Sequence, residues 1–145
     1  MAFVSPPIIA TGDLVPASEW NANWSYLYDS GWIAFSAVAG GYTNSWASSH
    51  GPAAGATVAG YRKIGNVVRF GGSIGGGSSG NAAFTMPAGT RPTYDLQLTI
   101  GPATINAIDV WIVKIPATGV VTPQLSAYGG AGISPTLDGV TYTID

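Results

Sequence analysis

The feature that most constrains this chain is its punctuation. From residue 31 to the end, glycine and proline cut it into short runs rich in Val, Ile, Thr and aromatic residues. Both residues interrupt helices, so no long helix can form across them. Short β-branched and aromatic runs between turn formers read as strands. The expected strands are 31–38, 57–62, 66–74, 82–86, 94–101, 105–115, 119–127 and 139–144. Alternation is clearest from Tyr94 to Ile100, where Leu96, Leu98 and Ile100 face one way and Asp95, Gln97 and Thr99 the other. Residues 108–115, IDVWIVKI, are apolar on both faces except at Asp109 and Lys114. That pattern predicts a strand covered twice, by the core and by a second subunit. The spacing predicts an all-β domain over 31–145, an antiparallel β-sandwich or jelly roll. Residues 39–57 and 75–81 read as loops. The first is long enough to expect a function or a subunit contact.

Upstream lie two further zones. Residues 1–15 are an extended arm punctuated by Pro6-Pro7 and Gly12-Asp13. Residues 16–30 carry the only good helical signal. Pro16 suits a first turn and Glu19 the positive N-terminal end, while Trp20, Trp24 and Leu27 form one stripe. So short a helix is marginal alone in water, so its stripe needs the domain or copies of itself to pack on.

Composition narrows the function classes. Charged residues are only 8% of the 145, so Ser, Thr, Asn, Gln, Gly and Tyr must cover most of the surface. Low electrostatic repulsion of this kind suits an assembled protein. The five basic residues, Arg62, Lys63, Arg69, Arg91 and Lys114, are too scattered for a phosphate-tracking groove, so no nucleic-acid partner is expected. No apolar run reaches membrane-span length, and the start lacks the basic and apolar regions of a signal peptide. Cysteine is absent, which removes disulfides and thiolate sites.

Few residues could carry chemistry. The Gly-rich GGSIGGGSSG at 71–80 lacks the Gly-Lys-Ser/Thr ending of a phosphate loop and reads as a flexible hairpin tip. His50 is the only histidine; no ligand spacing supports a metal and no serine sits in a nucleophile elbow, so it reads as an exposed loop residue. A glycosidase needs two facing carboxylates, and Asp95 with Asp109 on neighbouring strands is the pair to test. Asn23-Trp24-Ser25 matches a glycosylation acceptor inside the expected helix and reads as chance. Neither a metal nor a cofactor is expected. Tyr42 and Trp46, in the long loop, are the best candidates for stacking on a sugar ring. Packing against a neighbouring subunit is an equal reading for them.

Residues 83–92, AFTMPAGTRP, place an arginine between two prolines. Phe84 and Met86 should close a strand onto the core. Pro87 ends it, Gly89 supplies the turn conformation, and Pro92 holds Arg91 extended. Arg91 is expected to be structural, pairing with an acid or with carbonyls of a neighbouring subunit.

Two stretches carry a resemblance. Gly60-Tyr61-Arg62-Lys63-Ile64-Gly65-Asn66-Val67-Val68-Arg69-Phe70-Gly71-Gly72-Ser73-Ile74, followed by Phe84-Thr85-Met86-Pro87-Ala88-Gly89-Thr90-Arg91-Pro92, resembles a module common in bacteriophage tail-fibre and other virion surface proteins. Gly31-Trp32 is similar to the start of that module. Thr11-Gly12-Asp13-Leu14-Val15-Pro16-Ala17-Ser18-Glu19-Trp20-Asn21-Ala22-Asn23 is similar to a signature near the start of phage virion proteins. Met86 stands where the module has Leu, and Thr90 where it has an aromatic. Residues from 101 on carry no resemblance.

The resemblance implies a homotrimer of sandwich or jelly-roll domains on a threefold axis, at the exterior of a phage particle and made in the bacterial cytoplasm. Trp20, Trp24, Leu27 and Trp111 become the expected trimer contacts. Phe3, Val4, Pro6, Pro7, Ile8 and Ile9 of the arm become the expected virion anchor. Three functions follow. The first is a tail-fibre or receptor-binding module that touches host-surface polysaccharide. The second is a capsid decoration or head-fibre protein gripping the shell through the arm, which the short chain favours. The third, least favoured, is a glycan-degrading enzyme.

Overall fold

The structure, a computed structural model, describes residues 29–52, 58–102, 110–126 and 134–144. It is all-β, with every strand pair antiparallel. The strands are β1 (Ile33–Ala34), β2 (Ala47–His50), β3 (Gly60–Ile64), β4 (Val67–Gly71), β5 (Ser73–Gly75), β6 (Phe84–Thr85), β7 (Leu96–Ile100), β8 (Trp111–Ile115), β9 (Val120–Leu125) and β10 (Thr141–Thr143). One four-stranded sheet runs β1-β3-β4-β10, another runs β6-β9-β8-β7, and β2 pairs with β5. A single turn of 3₁₀ helix, Phe35–Ala37, follows β1.

Local chemistry accounts for the best-formed pieces. The β3–β4 hairpin closes through Gly65-Asn66, with Ile64 opposite Val67 and Gly65 at φ +59°. A positive φ at the first central residue is the hairpin turn whose twist matches its strands, and glycine takes it without strain. In β4 only Val68 and Phe70 of the first four residues turn fully inward. In β9, Pro123 sits mid-strand, where it cannot donate a hydrogen bond. Its carbonyl accepts from Gly80 on the side where β6 has ended, so the ladder to β8 loses nothing.

The two sheets meet through aromatic rings. Phe35 stacks on Phe84 with centroids 3.9 Å apart, and Phe70 of β4 meets Phe35 edge-on at 5.0 Å. Tyr142 of β10 stands edge-on to Phe70 at 5.8 Å. Burying each such ring contributes about 2–3 kcal/mol. At the other end of the core Trp46 and Trp111 meet edge to face at 6.3 Å.

The AFTMPAGTRP turn ties these layers together. Gly89 sits at φ +81°, and the Pro87 carbonyl accepts from the amide and hydroxyl of Thr90 at 3.1 and 2.9 Å. Arg91 Nε donates to the Met86 carbonyl at 2.8 Å, a partner within its own turn. Gly119 must be glycine for the Arg91 side chain to lie there, since a Cβ would come within 2.8–2.9 Å of it. Lys63 Nζ donates to the Gly89 carbonyl at 3.0 Å and the Tyr142 hydroxyl to that of Thr90 at 2.7 Å. One turn thereby holds β3, β6 and β10 in place.

Several expectations change. The segment 66–74 is two strands, because Gly72, at φ +86°, turns the chain from the β4 sheet onto the β2–β5 pair. The 39–57 loop contains β2, and part of the Gly-rich tip is β5. Of the helix expected over 16–30 only Asp29 and Ser30 are described, and both run alongside β3. Asp29 bridges Ile64, and Ser30 N donates to the Lys63 carbonyl at 2.9 Å. Arg62 clasps the Asp29 carboxylate with two nitrogens. Those hydrogen bonds, with one from the Gly31 amide, hold the carboxyl down at about 2. The arm 1–15, the Trp20/Trp24/Leu27 stripe, and the anchor residues Phe3, Val4, Pro6, Pro7, Ile8 and Ile9 lie outside the described residues.

Candidate functional site

Of the two residues expected to stack on sugar, Trp46 is buried and Tyr42 keeps part of its ring exposed. Trp46 is 4% exposed, wedged against Trp111 and against the backbone of Gly77, where a Cβ would overlap the indole. Tyr42 is half-buried, edge-on to Phe35 at 6.5 Å and to Phe84 at 5.9 Å. Burial pushes its phenol up to about 12. Trp111, expected at a trimer contact, is 4% exposed on the inner face of β8. These rings build the inside of one copy.

Two hollows remain. The smaller, about 130 Å³, is lined by His50, Gly51, Gly72, Ser73, Thr136 and Asp138. It brings a serine, the only histidine and an aspartate together, which no sequence spacing revealed. The arrangement is not a catalytic triad. Asp138 Oδ1 accepts from the Gly72 amide at 2.9 Å and Oδ2 from the Thr136 hydroxyl at 3.1 Å, and among the described residues no hydrogen bond joins the carboxylate to the imidazole. His50 Nδ1 stands 3.2 Å from Ser49 Oγ and 3.3 Å from Ser73 Oγ. These bonds secure the Gly72 kink and the irregular β2–β5 register. Their role is to hold the chain where it changes sheets.

The larger hollow, about 420 Å³, opens on the outer face of the β6-β9-β8-β7 sheet, lined by Asp95, Leu96, Gln97, Lys114, Pro116 and Thr122. Strand register explains its composition. Gln97 stands opposite Lys114, and Lys114 opposite Thr122, so three strands place one polar row side by side. The next row is Thr99, Ile112 and Gln124. The alternating partners Leu98, Val113 and Pro123 face the core. Between Trp111 and Ile115 the outer face therefore carries Ile112 and Lys114, the latter being the exception already visible in the sequence, amid polar neighbours. Asp109, the proposed partner carboxylate of Asp95, lies outside the described residues.

The Asp95 side chain is placed by a bond from a backbone amide. Its Oδ1 accepts from the Ala117 amide at 2.9 Å, which fixes the carboxylate against the β8–β9 turn. Among the described residues, Lys114 has neither an ion-pair nor a hydrogen-bond partner, although Asp95 lines the same depression. A held carboxylate and a free ammonium thus share one exposed surface without neutralising each other. Tyr94, one residue before Asp95, is 64% exposed, the most exposed of the large apolar side chains described. The alternation of 94–100 predicts the facing of Asp95 and Gln97. Nothing in the sequence pairs them with Lys114 and Thr122.

No protein-family model and no curated protein matches this chain. Among solved structures it is similar to the receptor binding protein of Listeria phage PSA. The TM-score is 0.62 at 16% identity, covering 89% of this chain and 73% of that one. Identity that low makes the likeness one of fold. Among the described residues no helix is long and apolar enough to cross a membrane, and no group of acidic or histidine side chains could hold a metal ion.

Proposed function

We propose that this chain is a surface module of a bacteriophage virion, of the receptor-binding kind, acting as a homotrimer that meets host-surface glycan. The likeness of fold to a phage receptor binding protein, spanning most of both chains, carries the reading. Support from the residues is independent of it. The YRK-to-FTMPAGTRP module and the N-terminal GDLVPASEWN resemble virion surface proteins. The outer sheet face offers hydrogen-bonding side chains and little charge, which suits a ligand made of hydroxyl groups. In this reading the arm at 1–15 joins the module to other virion proteins, and Trp20, Trp24 and Leu27 pack copies together. The protein binds its glycan and does not cleave it.

Gold-labelled antibody against the chain, viewed on intact particles, tests the placement. Label at the tail is expected. Label over the head would replace this reading with that of a capsid decoration protein anchored through its arm. Sedimentation of the purified chain tests the assembly, and a monomer at micromolar concentration would remove the trimer.

A further inference from the structure

The depression between Asp95 and Lys114 has the chemistry of a particular ligand. We infer that it is a subsite for one neutral pyranose ring, gripped through a pair of adjacent hydroxyls. The inference rests on the glycan reading above and gives it a location and a sugar class.

The donors and acceptors are complementary to a diol. Each sugar hydroxyl both donates and accepts one or more hydrogen bonds. Asp95 can only accept, and one of its oxygens is already held by the Ala117 amide at 2.9 Å, leaving the other to the solvent side. Lys114 can only donate, and no described residue takes its protons. Gln97 and Thr122 flank Lys114 in register and can do both. One hydroxyl can donate to the carboxylate while its neighbour accepts from the ammonium, which a diol satisfies and a single charged group does not. Bonds to ionised partners are the stronger ones.

Charge selects a neutral ring. The depression holds one carboxylate and one ammonium, so an acidic sugar would gain Lys114 only by approaching Asp95. Pro116, which lines the depression, supplies an apolar surface for the C–H face of the ring. A volume of about 420 Å³ lies in the range of small-molecule sites. Exposed Tyr94 is placed next in the chain to stack on a following residue of the same polysaccharide.

The test is an amide-shift titration of the ¹⁵N-labelled full chain with methyl glycosides of glucose, galactose, mannose, N-acetylglucosamine and glucuronic acid. At least one neutral glycoside should move the amides around Asp95, Gln97, Lys114 and Thr122, with single-sugar affinity near about 1 mM. Asp95→Asn keeps the acceptor for Ala117, and Lys114→Gln sits on an exposed face, so both should fold. Each should weaken that glycoside about tenfold. Shifts absent from these amides, or tighter binding of the glucuronide than of every neutral sugar, would overturn the inference. Binding of the labelled chain to host cells separates the two levels. If the parent binds cells and the double variant binds equally, the subsite is wrong while the glycan reading stands. If the sugar shifts appear but the parent ignores cells, the subsite stands and the receptor reading falls.

Discussion

Replacing Tyr142 by Phe should destabilise the protein at neutral pH yet flatten its loss of stability in alkali. The ring is 7% exposed and edge-on to Phe70 at 5.8 Å, and Phe keeps that packing. What disappears is the hydrogen bond from the phenol to the Thr90 carbonyl at 2.7 Å, which links β10 to the AFTMPAGTRP turn. The carbonyl is then left without its donor, at a cost of about 1–2 kcal/mol. The second effect has the opposite sign. Burial, aided by the charge of Tyr61, raises the folded phenol well above its ordinary 10.0. Above pH 10 the unfolded chain has lost this proton and the folded one retains it. Stability contributed by the neutral phenol is therefore complete below pH 10 and declines as pH rises toward the folded value, by about 1.4 kcal/mol per unit. Tyr42, also raised, declines in parent and variant alike. Urea unfolding followed by tryptophan fluorescence, at fixed protein concentration and at pH 7, 10, 10.5 and 11, measures both effects. A loss below about 0.5 kcal/mol at pH 7 would refute the hydrogen-bond argument. Parallel slopes above pH 10 would refute the burial argument.

Phe84→Ala empties the centre of the Phe35, Phe70 and Tyr42 cluster and should cost about 3–5 kcal/mol by urea unfolding. Gly72→Ala combines φ +86° with a Cβ within 2.9 Å of Ala59 and should cost more than Gly139→Ala, where φ is +93° but the space is open. Equal thermal melts for that pair would deny the Gly72 kink its steric basis. Asp29→Asn should leave neutral stability almost unchanged, since the pair with Arg62 is exposed to water. Its small contribution, present above the ordinary 3.8 and lost as pH falls through about 2, should vanish in high salt.

Much of the fold could be read locally because the responsible interactions are local. Pro87 and Gly89 specify the turn after β6. Alternation over 94–100 separates the core-facing leucines from Asp95 and Gln97. Three features resisted. The weakly patterned segment ASSH becomes β2 because Gly72 redirects β5 alongside it, a pairing 25 or so residues away in sequence. Trp46, in what reads as a loop, is buried because Gly77 and Trp111 come to it from distant elements. His50 owes its neighbours to the same convergence.

By itself, then, the sequence determined the class of architecture, the facing of β7 and the turn after Pro87 in AFTMPAGTRP. Periodicity and turn chemistry act over a few residues and need no partner to be recognised. The tertiary structure alone decided which aromatics are available to a ligand and which polar side chains share a surface. Asp95, Gln97, Lys114 and Thr122 belong to three strands and the turns beside them, and only hydrogen-bonded register places them together. A one-residue slip of β8 would turn Lys114 inward and abolish the row, which is why no reading of one strand at a time could reveal it.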